Sequence, residues 1–273
     1  MYGSLEEKKA ILLVDLNFDA FGTDRVFSKT PTTAMRDAGD SMIQAVIFDF
    51  DGTLADFVES DTAALKYIHG LTDSDCTAEE FTEASVEGIM QFHELVVSGK
   101  IDPLLMFKYR LSYAFKKMGM TWKDSFTDIH RELLLKETKA YSGAADLLKN
   151  LENRVKLGLI TNASDSVLQR QRIEASGMRE LFQEILIAGE IGLSKPDPEI
   201  FLLMSRKLNV LPEKCLFVGD SIQYDIIGAT SAGMQTVLYG ANRSDSKAAD
   251  HAAENIHELR ILIEDLLSLQ EKS

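Results

Sequence analysis

Residues 45–54 read Ala45-Val46-Ile47-Phe48-Asp49-Phe50-Asp51-Gly52-Thr53-Leu54. Four apolar residues run into two aspartates that flank one phenylalanine, and Gly-Thr follows. A buried strand that stops in a carboxylate delivers it to the carboxyl edge of a sheet, where open α/β sheets bind ligands. Two residues further along an extended chain, Asp51 points to a neighbouring place, and Gly52 lets the backbone turn back over both acids. This pairing suits one chemistry: one carboxylate attacks, the other moves a proton, and a hard cation sits between them.

Short apolar runs recur at 155–160, 185–188, 215–218 and 236–239, and amphipathic segments at 166–176, 199–208 and 225–232 separate them. Apolar strands joined by helices predict an α/β fold, a doubly wound, Rossmann-like parallel sheet covered on both faces. Ile256, Leu259, Leu262, Ile263, Leu266 and Leu267 recur at helical spacing, so a last helix is expected against the sheet's edge. Residues 56–140 lack strand signals and carry helical stretches such as 78–97 and 104–118. They predict an all-helical cap inserted between the first two strands, returning through Tyr141-Ser142-Gly143 to a helix at 144–151. The expected division is an N-terminal extension at 1–42, a catalytic core at 43–55 and 141–273, and the cap at 56–140. The extension is expected to be disordered, because 28–41 is rich in Thr, Asp, Gly and Pro without periodicity. Met42, just before the first strand, is a candidate native start.

The chain has 273 residues, 45% hydrophobic and 26% charged, the composition of an ordinary globular protein. No apolar run reaches the roughly 18 residues that span a bilayer, so no membrane partner is expected. Two cysteines, Cys76 and Cys215, make neither a disulfide framework nor a metal site, and a reducing, cytoplasmic setting is expected. The net charge of −14 repels nucleic acid. It also repels a phosphate ester, so a phosphate site has to be positive locally, through a cation and a well-placed lysine.

Polar residues gather where the strands end: Asp49 and Asp51, then Thr161-Asn162, then Ser194-Lys195-Pro196-Asp197-Pro198, then Gly219-Asp220-Ser221 with Asp225 beyond. Each piece has a plainer reading. The paired acids close a turn, Thr-Asn caps a helix, Lys195 is a solvated lysine, and Asp225 is a helix-start acid on the dipole. Asp197-Pro198 is read structurally, as N-cap and first helical residue.

Taken in order, DFDGT, TN, KP and GDS with a later Asp resemble the haloacid dehalogenase-like hydrolase superfamily. The resemblance covers roughly 42–267, and the insertion is similar to that family's helical cap of the first type. It implies Asp49 as nucleophile and Asp51 as the acid that protonates the leaving alkoxide and then activates water. Mg²⁺ is the expected cofactor, held by the Asp49 side chain, the Asp51 backbone carbonyl and Asp220. Thr161 and Asn162 are expected to donate hydrogen bonds to phosphoryl oxygens, and Lys195 to pair with Asp49 and the phosphoryl group. Asp225 is expected to orient Lys195 or a metal-bound water.

The five histidines (His69, His93, His130, His251, His257) share no ligand spacing and read as surface or packing residues. The cap cluster Phe107-Lys108-Tyr109-Arg110 is either a substrate contact or a helix with one buried face. Phe18-Asp19-Ala20-Phe21-Gly22-Thr23 resembles the first motif of true dehalogenases. It follows the polar Asp15-Leu16-Asn17, and the sheet has room for one first strand, so Asp19 is read as incidental.

The expected activity is Mg²⁺-dependent hydrolysis of a small phosphate monoester, of the nucleoside monophosphate, sugar phosphate or phosphoglycolate type, by a monomer or homodimer. A phosphosugar mutase and a non-catalytic phosphometabolite-binding regulator are the alternatives. A halide leaves without a proton, so Asp51 speaks against dehalogenation.

Overall fold

The computed structural model describes residues 42–97, 100–240 and 246–270. The N-terminal extension expected at 1–42, apart from Met42, lies outside them, as does the motif around Asp19.

Strand β1 (Ala45–Phe48) is buried throughout, and its alternating side chains feed two cores. Val46 and Phe48 pack with Leu147, Leu148, Leu151, Leu259 and Ile263. Ala45 and Ile47 pack with Ile200, Phe201, Met204 and Leu208 on the other face. Strand β4 (Cys215–Gly219) repeats the division, Leu216 and Val218 to the first core and Cys215 and Phe217 to the second. This is the physical reason for the continuous apolar runs: with helices on both faces, neither side of a central strand meets water. Full burial of each such side chain contributes roughly 1.5–3 kcal/mol.

The remaining strands are β2 (Lys156–Thr161), β3 (Glu184–Ile187), β5 (Gln235–Tyr239) and β6 (His251–Ala253). All pairings are parallel and the order is β3-β2-β1-β4-β5-β6. The chain builds outward from β1 on one side, then returns to β4 on the other, which makes the β1–β4 edge the topological switch point. Helices α5 (Ala144–Leu151) and α10 (Ile256–Gln270) contribute to the first core, and α8 (Pro198–Leu208) lies in the second. Helix α6 (Ser166–Ala175) follows β2, and a short α7 (Ala188–Ile191) follows β3.

Between β1 and β2 lie α1 (Phe57–Gly70), α2 (Ala78–Val97), α3 (Met106–Lys117) and α4 (Ser125–Lys136). They enclose their own core of Leu65, Ile68, Phe81, Leu111, Phe115 and Phe126. Phe115 stacks on Phe126 at 4.7 Å and meets Phe81 edge-on at 5.2 Å. A charged cluster is buried in the same bundle. Arg110 donates to Asp61 at 2.7 Å and to Ser85 at 2.8 Å, and the His130 ring lies 2.9 Å from the other Asp61 oxygen. In the cluster at 107–110, Phe107 and Arg110 are therefore buried, and Lys108 pairs with Asp124 at 2.9 Å.

The bundle joins the sheet through two chain crossings laid side by side. Asp56 N–H donates to Lys139 O at 3.1 Å, Tyr141 N–H donates to Leu54 O at 2.8 Å, and Ala55 bridges Ala140 antiparallel. An Arg131–Asp165 ion pair and the packing of Phe57 and Leu134 with Leu168 add a second contact.

The main differences from the sequence reading are these. Thr161 is the last residue of β2 rather than a loop residue. The helix expected at 225–232 is a π-turn (Ile222–Ile226) leading into a short α9 (Ile227–Ser231). Strand β6 was not anticipated.

Candidate active site

Asp49 stands one residue past β1, at the switch point, with 1% of its surface exposed. One carboxylate oxygen takes a hydrogen bond from Lys195 Nζ at 2.6 Å and the other from Thr53 Oγ1 at 3.2 Å. Gly52, between the acids and Thr53, has φ of 88°, so the tight turn that returns Thr53 to Asp49 suits glycine. Lys195 is fully buried and also donates to Asp225 Oδ1 at 2.7 Å. The second Asp225 oxygen accepts from Ser221 N–H at 3.0 Å. The π-turn that carries Asp225 tucks it against Gly219, where a Cβ would come within 2.4 Å of its carboxylate carbon.

The loop holding Lys195 is itself clamped. Asn162 donates to Lys195 O and accepts from Lys195 N–H, both at 2.9 Å. Its side-chain amide, expected to meet phosphoryl oxygens, is thus engaged on the lysine's backbone. Thr161 Oγ1 accepts from Gln169 Nε2 at 2.9 Å, a bond that leaves its own proton unused.

Oxygens of Asp49, Asp220 and Asp225 all lie within 4.8 Å of one another, with Lys195 as the cation between Asp49 and Asp225. Asp220 Oδ1 is buried without a hydrogen-bond partner. Burial pushes the Asp49 carboxyl up to about 7, against the pull of Lys195 and with Asp225 and Asp51 adding to the rise. Burial likewise holds Asp220 well above the carboxylate range, with Asp49 and Asp225 adding to it. Burial opposes the Lys195 charge, but Asp225 and Asp49 outweigh it and hold the ammonium above its usual value. The Asp49 carboxylate and Asp220, whose Oδ1 is orphaned, are hard oxygen donors that fit a divalent cation of the Mg²⁺ type.

Asp51 is buried and accepts three hydrogen bonds. Arg172, on α6, grips it through both terminal nitrogens at 2.7 and 3.0 Å, and Gln169 Nε2 donates to it at 2.7 Å. Thr53, Gln169 and Arg172 were absent from the residues selected by sequence. Asp49, Asp51, Lys195, Asp220 and Asp225 do come together at the strand ends, with Thr161 and Asn162 beside them. Tyr141 and Tyr239, rings 6.1 Å apart, stand close to the acids. Burial raises the Tyr141 hydroxyl pKa, and Asp56, Asp220 and Asp51 add to it.

The architecture is a doubly wound α/β sheet with an acid cluster at its switch point and a helical bundle after β1. A model of the haloacid dehalogenase-like hydrolases matches residues 43–233, and the chain belongs to that family. Over 84% of this chain and 99% of the other, it is 27% identical to the glyceraldehyde 3-phosphate phosphatase of Methanothermobacter thermautotrophicus. It is 27% identical to human N-acylneuraminate-9-phosphatase over 74% of this chain and 84% of that one. A higher identity, 34%, to the Methanopyrus kandleri glyceraldehyde 3-phosphate phosphatase is confined to 127 residues. That match covers 44% of this chain and about half (54%) of the relative. Among solved structures, the Bacillus subtilis HAD-hydrolase YfnB aligns with a TM-score of 0.70 at 23% identity, over 82% of this chain and 99% of that one.

Proposed function

We propose that this protein is a Mg²⁺-dependent phosphatase of small phosphate monoesters, acting through a phosphorylated Asp49. The observation that carries the reading is the buried pair of Asp49 and Lys195, 2.6 Å apart at the end of the central strand, with a second acid two residues on. An Asp49 oxygen attacks phosphorus, the ester P–O bond breaks, and Asp51 gives its proton to the departing alkoxide. Water then attacks the aspartyl phosphate, Asp51 takes the proton, and inorganic phosphate leaves with Asp49 restored. Lys195 balances the charge that shifts between Asp49 and the phosphoryl oxygens, and Thr161 donates its hydroxyl to one of them. Asn162 contributes by fixing the Lys195 backbone.

The Asp49 side chain, the Asp51 backbone carbonyl and Asp220 would hold Mg²⁺, which when bound neutralises charge on the acids and the phosphoryl group. Asp225, with both oxygens engaged by Lys195 and Ser221, orients the lysine. The helical bundle at 56–140 serves as the cap over the site, and the net negative charge and two free cysteines suit a cytoplasmic enzyme of small metabolites.

The names of the relatives support the substrate class: phosphates of a triose, an acylated sugar acid, a pyrimidine nucleotide and serine. All are phosphate monoesters of small polar molecules. Phosphate release from a panel of such esters with Mg²⁺ tests the reading. Turnover is expected for at least one, and Asp49→Asn is expected to lower it by about 10³-fold or more with the fold intact. Unchanged turnover in that variant would defeat the assignment. Transfer of the phosphoryl group to a sugar without free phosphate would mark a mutase instead.

A further inference from the structure

We infer that Arg172 and Gln169 are positioning residues that set where the Asp51 carboxylate stands and tie that position to the junction between helical bundle and sheet. The inference rests on the phosphatase reading above, in which Asp51 moves the proton. Both Asp51 oxygens are occupied: Oδ1 by Arg172 Nη2 at 2.7 Å, and Oδ2 by Arg172 Nη1 at 3.0 Å and Gln169 Nε2 at 2.7 Å. A two-pronged guanidinium contact fixes the plane of a carboxylate as well as its distance. Arg172 and Gln169, three residues apart on one face of α6, brace each other through Nη1 and Gln169 Oε1 at 2.8 Å. Gln169 also donates to Thr161, so the acid and the phosphate-side hydroxyl are held by one amide.

The same guanidinium touches both chain crossings of the junction. Its Nε donates to Thr138 Oγ1 at 3.2 Å, just before the chain returns to the sheet. Its carbon lies 5.0 Å from the ring centroid of Phe57, the first residue of α1, and 5.6 Å from that of Phe50. With 2% of its surface exposed and its nitrogens engaged, Arg172 has no freedom to shift without its partners. A movement of the bundle at Phe57 or Thr138 is thus transmitted to Asp51. Asp51 Oδ1 accepts from Arg172 Nη2 alone and keeps a second acceptor site, so the Arg172 contact sets the direction from which that oxygen can meet a leaving group.

The leaving group separates this role from a structural one. Glycerol phosphate releases an alkoxide that needs a proton, whereas p-nitrophenyl phosphate releases a phenolate stable without one. The ratio of kcat on glycerol phosphate to kcat on p-nitrophenyl phosphate, with saturating Mg²⁺, is expected to fall about tenfold or more in Arg172→Met. Arg172→Lys, which keeps the charge but lacks the fork, should also lower it. Gln169→Leu and Thr138→Val should move it the same way by less, and they carry the test if the arginine variants do not fold. A ratio unchanged in every folded variant overturns the inference, because a purely structural role lowers both rates together. Wild-type turnover that Asp49→Asn removes, with an unchanged ratio in the variants, overturns the positioning role alone. Turnover by the wild type of no ester of the panel, these two included, overturns both readings.

Discussion

Lys195 is the residue on which the site balances. It is fully buried, yet carries its charge because Asp49 and Asp225 lie 2.6 and 2.7 Å from its ammonium. Lys195→Met would leave both carboxylates buried without their cation, and breaking such a cluster costs about 3–5 kcal/mol. Urea unfolding should show that loss together with the loss of phosphate release. A variant as stable as the wild type would mean that the carboxylates do not depend on the lysine. These residues were legible in sequence because they follow successive strands in order, Asp49 directly and Lys195 and Asp225 a short way beyond. Gln169 and Arg172 were not. On an amphipathic helix a glutamine and an arginine three residues apart read as a polar face, and only the packing of α6 against Asp51 buries them.

The helical bundle carries its own charged core, unannounced by its sequence. Burial would raise the Asp61 carboxyl, but Arg110 and His130 outweigh it and hold it down to about 2. Burial lowers the His130 pKa below its ordinary value despite the bond to Asp61, with Arg110 and Arg131 adding to the drop. A histidine depressed in the folded state contributes stability that is complete above its unfolded pKa of about 6.5 and declines as pH falls below it. Asp61 adds to the loss only further down, as pH falls from the ordinary carboxylate range toward 2. His130→Gln keeps a donor for Asp61 but does not titrate. Its Tm deficit relative to the wild type is therefore expected to narrow between about pH 7 and pH 5. A constant deficit would show that His130 does not contribute to the pH dependence. The elements that escaped prediction share a cause. His251-Ala252-Ala253 is too short and too weakly apolar to read as a strand, and β6 exists because β5 offers an open edge. The π-turn at 222–226 reads as helix, because its extra residue is fixed by the Asp225 contacts with Lys195 and Ser221 rather than by local propensity.

Across the whole molecule acids outnumber bases, 43 Asp and Glu against 29 Lys and Arg. A net charge of −14 disfavours an anionic substrate in general, and the Asp49–Asp220–Asp225 cluster disfavours it locally until a cation is bound. Mg²⁺ at about a hundred times its Kd should therefore raise Tm, by roughly 5–10 °C for a chain of this size. Asp220→Asn should lose most of that shift, and EDTA should remove both the shift and the turnover. A shift that survives Asp220→Asn unaltered would place the cation elsewhere. Among the described residues no helix is long and apolar enough to cross a membrane.

The alternation of β1 to β5 with helices, and the helical stretches between β1 and β2, were readable from the chain alone. The reason is that hydrophobic period and residue type are local properties. Which acid faces which cation was settled only by the folded arrangement. The sheet order brings β1 beside β4, 170 residues away by the Ala45–Cys215 pairing, and α6 folds back until Arg172 closes on Asp51. Partner choice among buried charges depends on distances of a few ångströms between segments remote in sequence, and no local pattern encodes those.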